Sequence, residues 1–188
     1  MTRLTLIFSL VFASVLAGCV QVTEEYPMRK TQLAVSSARD LPMTFPSGSK
    51  FALSPKYLKE ASIKPDQLQK IYNLYSNEII EDFTSKGYLL ATAGQSVDFY
   101  VGFGVALSED LSDKKINEKF GVSPGLSESS DNEKGSFLIY VDDATTGQRI
   151  WRGTAQGFVQ NDFTAEQRKE RVAKVVDMLL AQYHQSKK

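Results

Sequence analysis

Six apolar residues, Val97, Phe99, Val101, Phe103, Val105 and Leu107, occupy alternate positions, with Asp98, Tyr100, Gly102, Gly104 and Ala106 between them. A period of two places the first set on one face of a β-strand, and that face must be covered by another apolar layer. The small residues of the other row would let a further element approach closely. Two other stretches supply suitable covers. Leu68, Ile71, Tyr72, Tyr75, Ile79 and Phe83 recur at three- and four-residue steps, which predicts a helix over Pro65–Lys86. Pro65 suits its first turn, Asp66 complements the helix dipole there, and Gly87 can take the left-handed conformation that ends it. Near the C-terminus Thr164 and Gln167 form a capping-box signal ahead of Val172, Val175, Val176, Leu179, Leu180 and Tyr183, again one helical face.

Shorter signals complete the frame. Lys50–Ser54 reads as a strand stopped by Pro55, and Tyr88–Ala91 as another. Gly135–Asp142 and Arg149–Val159, joined by Asp143-Ala144-Thr145-Thr146-Gly147, read as a β-hairpin. The order is β-α-β-β-loop-β-β-α. The fold class expected is α+β, a mainly antiparallel sheet with two amphipathic helices packed on one face. Residues 108–134 interrupt the pattern as a long loop with a short helix from about Ser112 to Phe120. The segment Gly102-Phe103-Gly104 lacks the third glycine and the following helix of a phosphate loop. Ser127–Glu133 lacks the spaced carboxylates and turn glycine of a calcium loop.

The N-terminus has a different character. Arg3 precedes a run from Leu4 to Leu16 broken only by Thr5, Ser9 and Ser14, and Gln21, Thr23, Glu24 and Glu25 follow soon after. A basic start and an apolar stretch short of the roughly 20 residues of a bilayer span describe a signal peptide over residues 1–18. Leu16-Ala17-Gly18-Cys19 resembles the lipobox of bacterial lipoproteins. The resemblance implies cleavage between Gly18 and Cys19, a diacylglycerol thioether on the Cys19 thiol, and membrane attachment through that lipid. An ordinary secretory signal with an incidental Cys19 is the alternative. Val20, not Asp, follows the cysteine, which by the same resemblance points to the periplasmic face of the outer membrane of a Gram-negative cell. Residues 19–48 carry Pro27, Pro42 and Pro46 without a sustained period, and are expected to form the lipidated cysteine and a tether, with Gln32–Val35 as an optional edge strand. Residues 49–188 are then a single domain, a size that buries a core without disulfides.

The hairpin and its neighbours carry a second resemblance. Phe51-Ala52-Leu53, Lys86-Gly87-Tyr88, Val97-Asp98-Phe99-Tyr100-Val101, Gly135–Asp142 and Thr146-Gly147-Gln148-Arg149-Ile150-Trp151-Arg152-Gly153 occur in an order that resembles the bacterial lipoprotein domain of unknown function 4136, over residues 45–183. This resemblance implies a fold and a location, and no activity. The insertion after Leu107 and the tail from His184 to Lys188 depart from the family pattern.

Chemistry-bearing residues are sparse. Cys19 is the only cysteine and His184 the only histidine, the latter in the last turn of a helix where a solvated or capping role is expected. With the thiol committed to lipid, thiol catalysis and cysteine-bound metal drop out, and no metal or cofactor is expected. Basic and acidic residues both total 22, and loss of residues 1–18 removes only Arg3, so no long-range field steers the chain to nucleic acid. Trp151 and Arg152 are the candidate partner-binding pair, set against a packing role for a hairpin Trp. Asp98 is expected to bond a backbone group at its strand start or to serve a pocket. The leading expectation is a non-catalytic envelope lipoprotein that binds a protein partner. A small-molecule or lipid-binding module requires an apolar pocket, and a hydrolase requires carboxylates converging with Ser or Lys.

Overall fold

A computed structural model describes residues 31–54, 64–107, 113–127 and 132–185, so Gly18, Cys19, Val20 and the signal segment lie outside the described residues. The alternating strand is present as β4 (Phe99–Leu107), and the hairpin as β5 (Lys134–Asp143) and β6 (Arg149–Phe158). Earlier strands are β1 (Leu33–Arg39), β2 (Lys50–Leu53) and β3 (Leu89–Leu90). The helices are α1 (Pro65–Ser85), α2 (Asp113–Phe120) and α3 (Ala165–Gln185). The six strands form one sheet in the order β1-β6-β5-β4-β2-β3.

The sheet is mixed, and this corrects the mainly antiparallel expectation in one half. β1, β4, β5 and β6 pair antiparallel, but β2 runs parallel to both β3 and β4. The reason is the helix between β2 and β3. A 21-residue α1 carries the chain back along the sheet, so β3 enters in the direction β2 did.

The tether expectation for residues 19–48 also changes. Leu33–Arg39 is a seven-residue strand on β6, not a linker, and Phe45 is buried with its ring 4.5 Å from that of Phe99. The Tyr88 hydroxyl donates to the Phe45 carbonyl at 3.2 Å, and the Gly48 amide to the Gly87 carbonyl at 2.8 Å. The domain therefore includes residues from Leu33 onward. β1 reads Leu-Ala-Val-Ser-Ser-Ala-Arg; the optional edge strand over Gln32–Val35 is its start, and it is held by backbone pairing with β6 and by Leu33 and Val35 packing against the core.

Helices α1 and α3 cover one face together. Phe99, Val101 and Phe103 of β4 and Phe137, Ile139 and Val141 of β5 meet Ile79 and Phe83 of α1 and Val176, Leu179 and Leu180 of α3 in one core. Both caps follow the sequence. Pro65 opens α1, Gly87 follows it at φ 86°, and before α3 the Thr164 amide donates to Gln167 Oε1 at 2.9 Å while the Gln167 amide donates to Thr164 Oγ1 at 3.2 Å.

The other face is covered by the insertion. Ile116 of α2 packs on Ala106 of β4 with Phe120 against them, and Val122 and Leu126 are buried beyond. The Leu126 amide donates to Gln156 Oε1 at 3.2 Å and Lys134 Nζ to the Leu126 carbonyl at 3.0 Å. Much of what reads as a loop is thus a second layer, which the small residues of β4 accommodate.

Candidate functional site

Trp151 and Arg152 point to opposite faces, as neighbours on a strand must. Trp151 faces the helices and is 1% exposed, with Tyr183 edge-on at 5.6 Å. Its indole lies over Gly153, where an added Cβ would stand 2.6 Å from Cη2 and 2.9 Å from Cζ2. The ring fills the space of the missing side chain, so packing accounts for the Trp-Arg-Gly sequence. An indole so enclosed has no free face for a partner. Arg152 lies on the far face, where its Nη1 is 2.8 Å from Asp40 Oδ1, a residue of the chain leaving β1. Its other guanidinium nitrogen borders Gly121 of the insertion. The structure thus separates the two members of the candidate pair.

Asp98 bonds backbone at the start of its strand, with the Lys50 amide donating to Oδ2 at 2.7 Å. His184 is neither solvated nor a cap. Its Nε2 lies 2.6 Å from Asp82 Oδ1, both side chains are 12% exposed, and the ring packs beside Phe83, Tyr88 and Tyr183. It joins the end of α3 to the end of α1. No group of three or more His, Cys, Asp or Glu among the described residues could hold a metal ion.

A concave feature lies between the layers, toward the end of the sheet where β4 finishes and β6 leaves for α3. A cavity of about 240 Å³ is lined by Val105 and Phe137 from the sheet, Leu74 and Tyr75 from α1, and Val172 and Val175 from α3. Of the neighbouring β6 positions, Ala155 is small, and over Gly157 lie Arg171 Nη2 and Leu33 Cδ2, which a Cβ there would meet at 2.5 and 2.8 Å. Polar groups are few. Tyr75 stacks on Phe137 at 4.3 Å, and burial pushes its phenol up to about 12, against the opposing pull of Arg171. Burial likewise lowers the Arg171 guanidinium from its ordinary value, with Tyr75 opposing. Arg171 Nη2 donates to the Phe158 carbonyl at 3.2 Å. None of the described lining residues is Asp, Glu, His or Lys, so the carboxylates of a hydrolase do not converge here.

Comparison with known proteins adds a family. The model of a domain of unknown function, DUF4136, matches residues 35–183. The chain belongs to the DUF4136 family. No curated protein matches it. A solved DUF4136 family protein from Bacteroides thetaiotaomicron is 14% identical, the alignment covering 80% of this chain and 95% of that one at a TM-score of 0.47. A PDZ domain protein from Parabacteroides distasonis is 12% identical at a TM-score of 0.50, covering 81% of this chain but only 36% of that one. Lipoprotein GNA1162 from Neisseria meningitidis is 14% identical over 71% of this chain and 99% of that one, at a TM-score of 0.38. The likeness to the Parabacteroides protein bears on fold alone.

Within this DUF4136 domain, sequence reasoning missed Tyr75 and Arg171 as site residues. Tyr75 is in the apolar stripe of α1 and looks like core. Arg171 had a signal: it stands four residues before Val175 as Arg168 stands four before Val172, so a pair of cations borders the apolar face of α3.

Proposed function

We propose that this DUF4136 protein is a lipid-anchored, non-catalytic ligand-binding protein of the Gram-negative envelope, with the cavity between sheet and helices as its binding site. The cavity carries this reading. An apolar pocket with a few polar groups is the usual form of a small-molecule site, and at about 240 Å³ this one is smaller than most drug-sized sites but larger than a packing defect. An enclosed apolar space of ~150 Å³ already suffices for a benzene-sized guest. The anchor is supported by Leu16-Ala17-Gly18-Cys19 after the signal segment, and two or three acyl chains there would hold the domain at a membrane. No helix among the described residues is long and apolar enough to cross one.

Two experiments test the parts separately. Cys19→Ser abolishes palmitate labelling and moves the protein out of the membrane fraction; unchanged labelling ends the anchor proposal. For the binding site, decanol added to the protein shifts the methyl resonances of Leu74, Val105, Val172 and Val175, and silence at all four ends the binding proposal.

A protein partner is the second reading. The observation in its favour is the sheet edge at β3, where Leu89 and Leu90 are 51% and 42% exposed. Exposed apolar side chains on an edge strand suit pairing with another chain. In-cell crosslinking of the lipidated protein should then lose a specific product in Leu89→Lys, while Trp151→Ala, being a core change, does not discriminate.

A further inference from the structure

The cavity does not end at Arg171. Beyond it lies an outer depression of about 210 Å³ lined by Thr31, Gln167, Glu170 and Lys174, and Leu33, Phe163 and Arg171 line both spaces. The inner space is walled mostly by Val, Leu and Phe, with Arg168 at its lining; the outer one adds Glu170 and Lys174. Arg171 stands at the junction, partly buried, its guanidinium 6.0 Å from the centre of the Phe163 ring and hydrogen-bonded to the Phe158 carbonyl. Among the described residues no carboxylate forms an ion pair with it. Arg168, exposed beside it, donates from Nε to the Phe163 carbonyl at 3.0 Å. Three cations, Arg168, Arg171 and Lys174, therefore face Glu170 alone among the acidic residues of the two linings.

We infer that the cavity takes the tail of a single-chain anionic amphiphile, whose carboxylate or phosphate head is held at Arg171 while its chain runs inward past Tyr75 toward Val105 and Val175. This rests on the proposal that the cavity is the binding site, and adds the class of ligand. A guanidinium with donors left over after one backbone bond suits an oxyanion in a fixed orientation. At ~30 Å³ for each water-sized group, about 240 Å³ holds about eight, which suits one chain of octanoyl to decanoyl length. The location fits a membrane-derived ligand. Thr31, in the outer depression, follows Cys19 by twelve residues, a fully extended reach of about 40 Å from the proposed anchor.

The test is a methyl-resolved NMR titration of the full chain carrying Cys19→Ser, so that no acyl chain of its own competes. The probes are decanoate, decanol and a decanoyl lysophosphatidylglycerol. Expected are shifts at Leu74, Val105, Val172 and Val175, affinity rising about fourfold per methylene from hexanoate and levelling off near decanoate, and decanoate binding about tenfold more tightly than decanol. Arg171→Gln should bring decanoate down to the level of decanol and leave decanol unchanged. Lysophospholipid tighter than decanoate makes the ligand a lysophospholipid; the reverse makes it a free fatty acid, and either sustains the inference. Equal binding of decanoate and decanol by the unsubstituted cavity overturns the anionic head while leaving the cavity a binding site. That comparison needs no change at Arg171, so it decides the matter even if Arg171→Gln does not fold. No shift at the four methyls with any probe overturns the binding site itself.

Discussion

Gly153 is where a single atom decides the most. Its α-carbon lies under the Trp151 indole, and a methyl group there would meet Cη2 at 2.6 Å and Leu179 Cδ2 at 3.1 Å. The ring is rigid, buried and edge-on to Tyr183, so giving way to that methyl disturbs the core around it. Gly153→Ala should therefore cost about 1–3 kcal/mol in urea unfolding and alter the near-UV dichroism of Trp151. Asp143, in the hairpin turn, shows the opposite case of a side chain that organises backbone. Its Oδ1 accepts from the Thr146 hydroxyl at 2.7 Å and from the amides of Thr146 and Thr145 at 2.6 and 3.1 Å. Those bonds, the Thr146 hydroxyl foremost, hold its carboxyl below the ordinary value. A depressed carboxyl stabilises the fold above the unfolded value of about 3.9 and loses that contribution as pH falls through the folded value. Urea melts between pH 6 and pH 2 should show an acid-side loss that Asp143→Asn flattens; parallel curves would show that the turn does not report it.

At the scale of elements, the helices and hairpin behave as their sequences require, and α2 is the informative exception. Its eight residues are mostly charged, yet Ile116 is 2% exposed because β4 offers Gly104 and Ala106 beneath it. If the insertion is a second layer and not a mobile loop, Ile116→Ala should lower stability by about 2–4 kcal/mol without loss of two-state behaviour. A change within a few tenths of a kcal/mol would return residues 113–127 to the status of a loop. The capping box of α3 is a different sort of evidence. Thr164 and Gln167 bond reciprocally as four consecutive residues can, without help from the rest of the chain.

For the whole molecule the decisive contact is between β1 and β6. A fragment beginning at Lys50, near the boundary at residue 49 suggested by periodicity, would leave the edge of β6 unpaired and remove Phe45 from its stack with Phe99. Such a fragment should aggregate or remain unfolded by circular dichroism, whereas one beginning at Gln32 should melt cooperatively. The same contact places the cavity, since Leu33 opens β1 and lines both the inner chamber and the outer depression. The α1–α3 pair closes the opposite end of this layer, where His184 meets Asp82. The helices are thus tied together at their C-terminal ends, while Leu74 and Tyr75 of α1 and Val172 and Val175 of α3 line the cavity.

Sequence alone determined the elements whose information is local. The alternation of β4, the stripes of α1 and α3, the capping box and the Thr146-Gly147 turn are each written within one or two turns of chain, where neighbouring residues are already in contact. Family membership was legible for a related reason, because its motifs follow one another along the chain. The direction of β2, the place of β1, the layer made by the insertion, the His184–Asp82 pair and the cavity were decided only by tertiary structure. Asp82 and His184 are 102 residues apart, and the cavity is volume that side chains from several elements, β1, β4, β5, β6, α1 and α3, fail to occupy. No single segment encodes an empty space; it exists only once the sheet and the two helices are packed together.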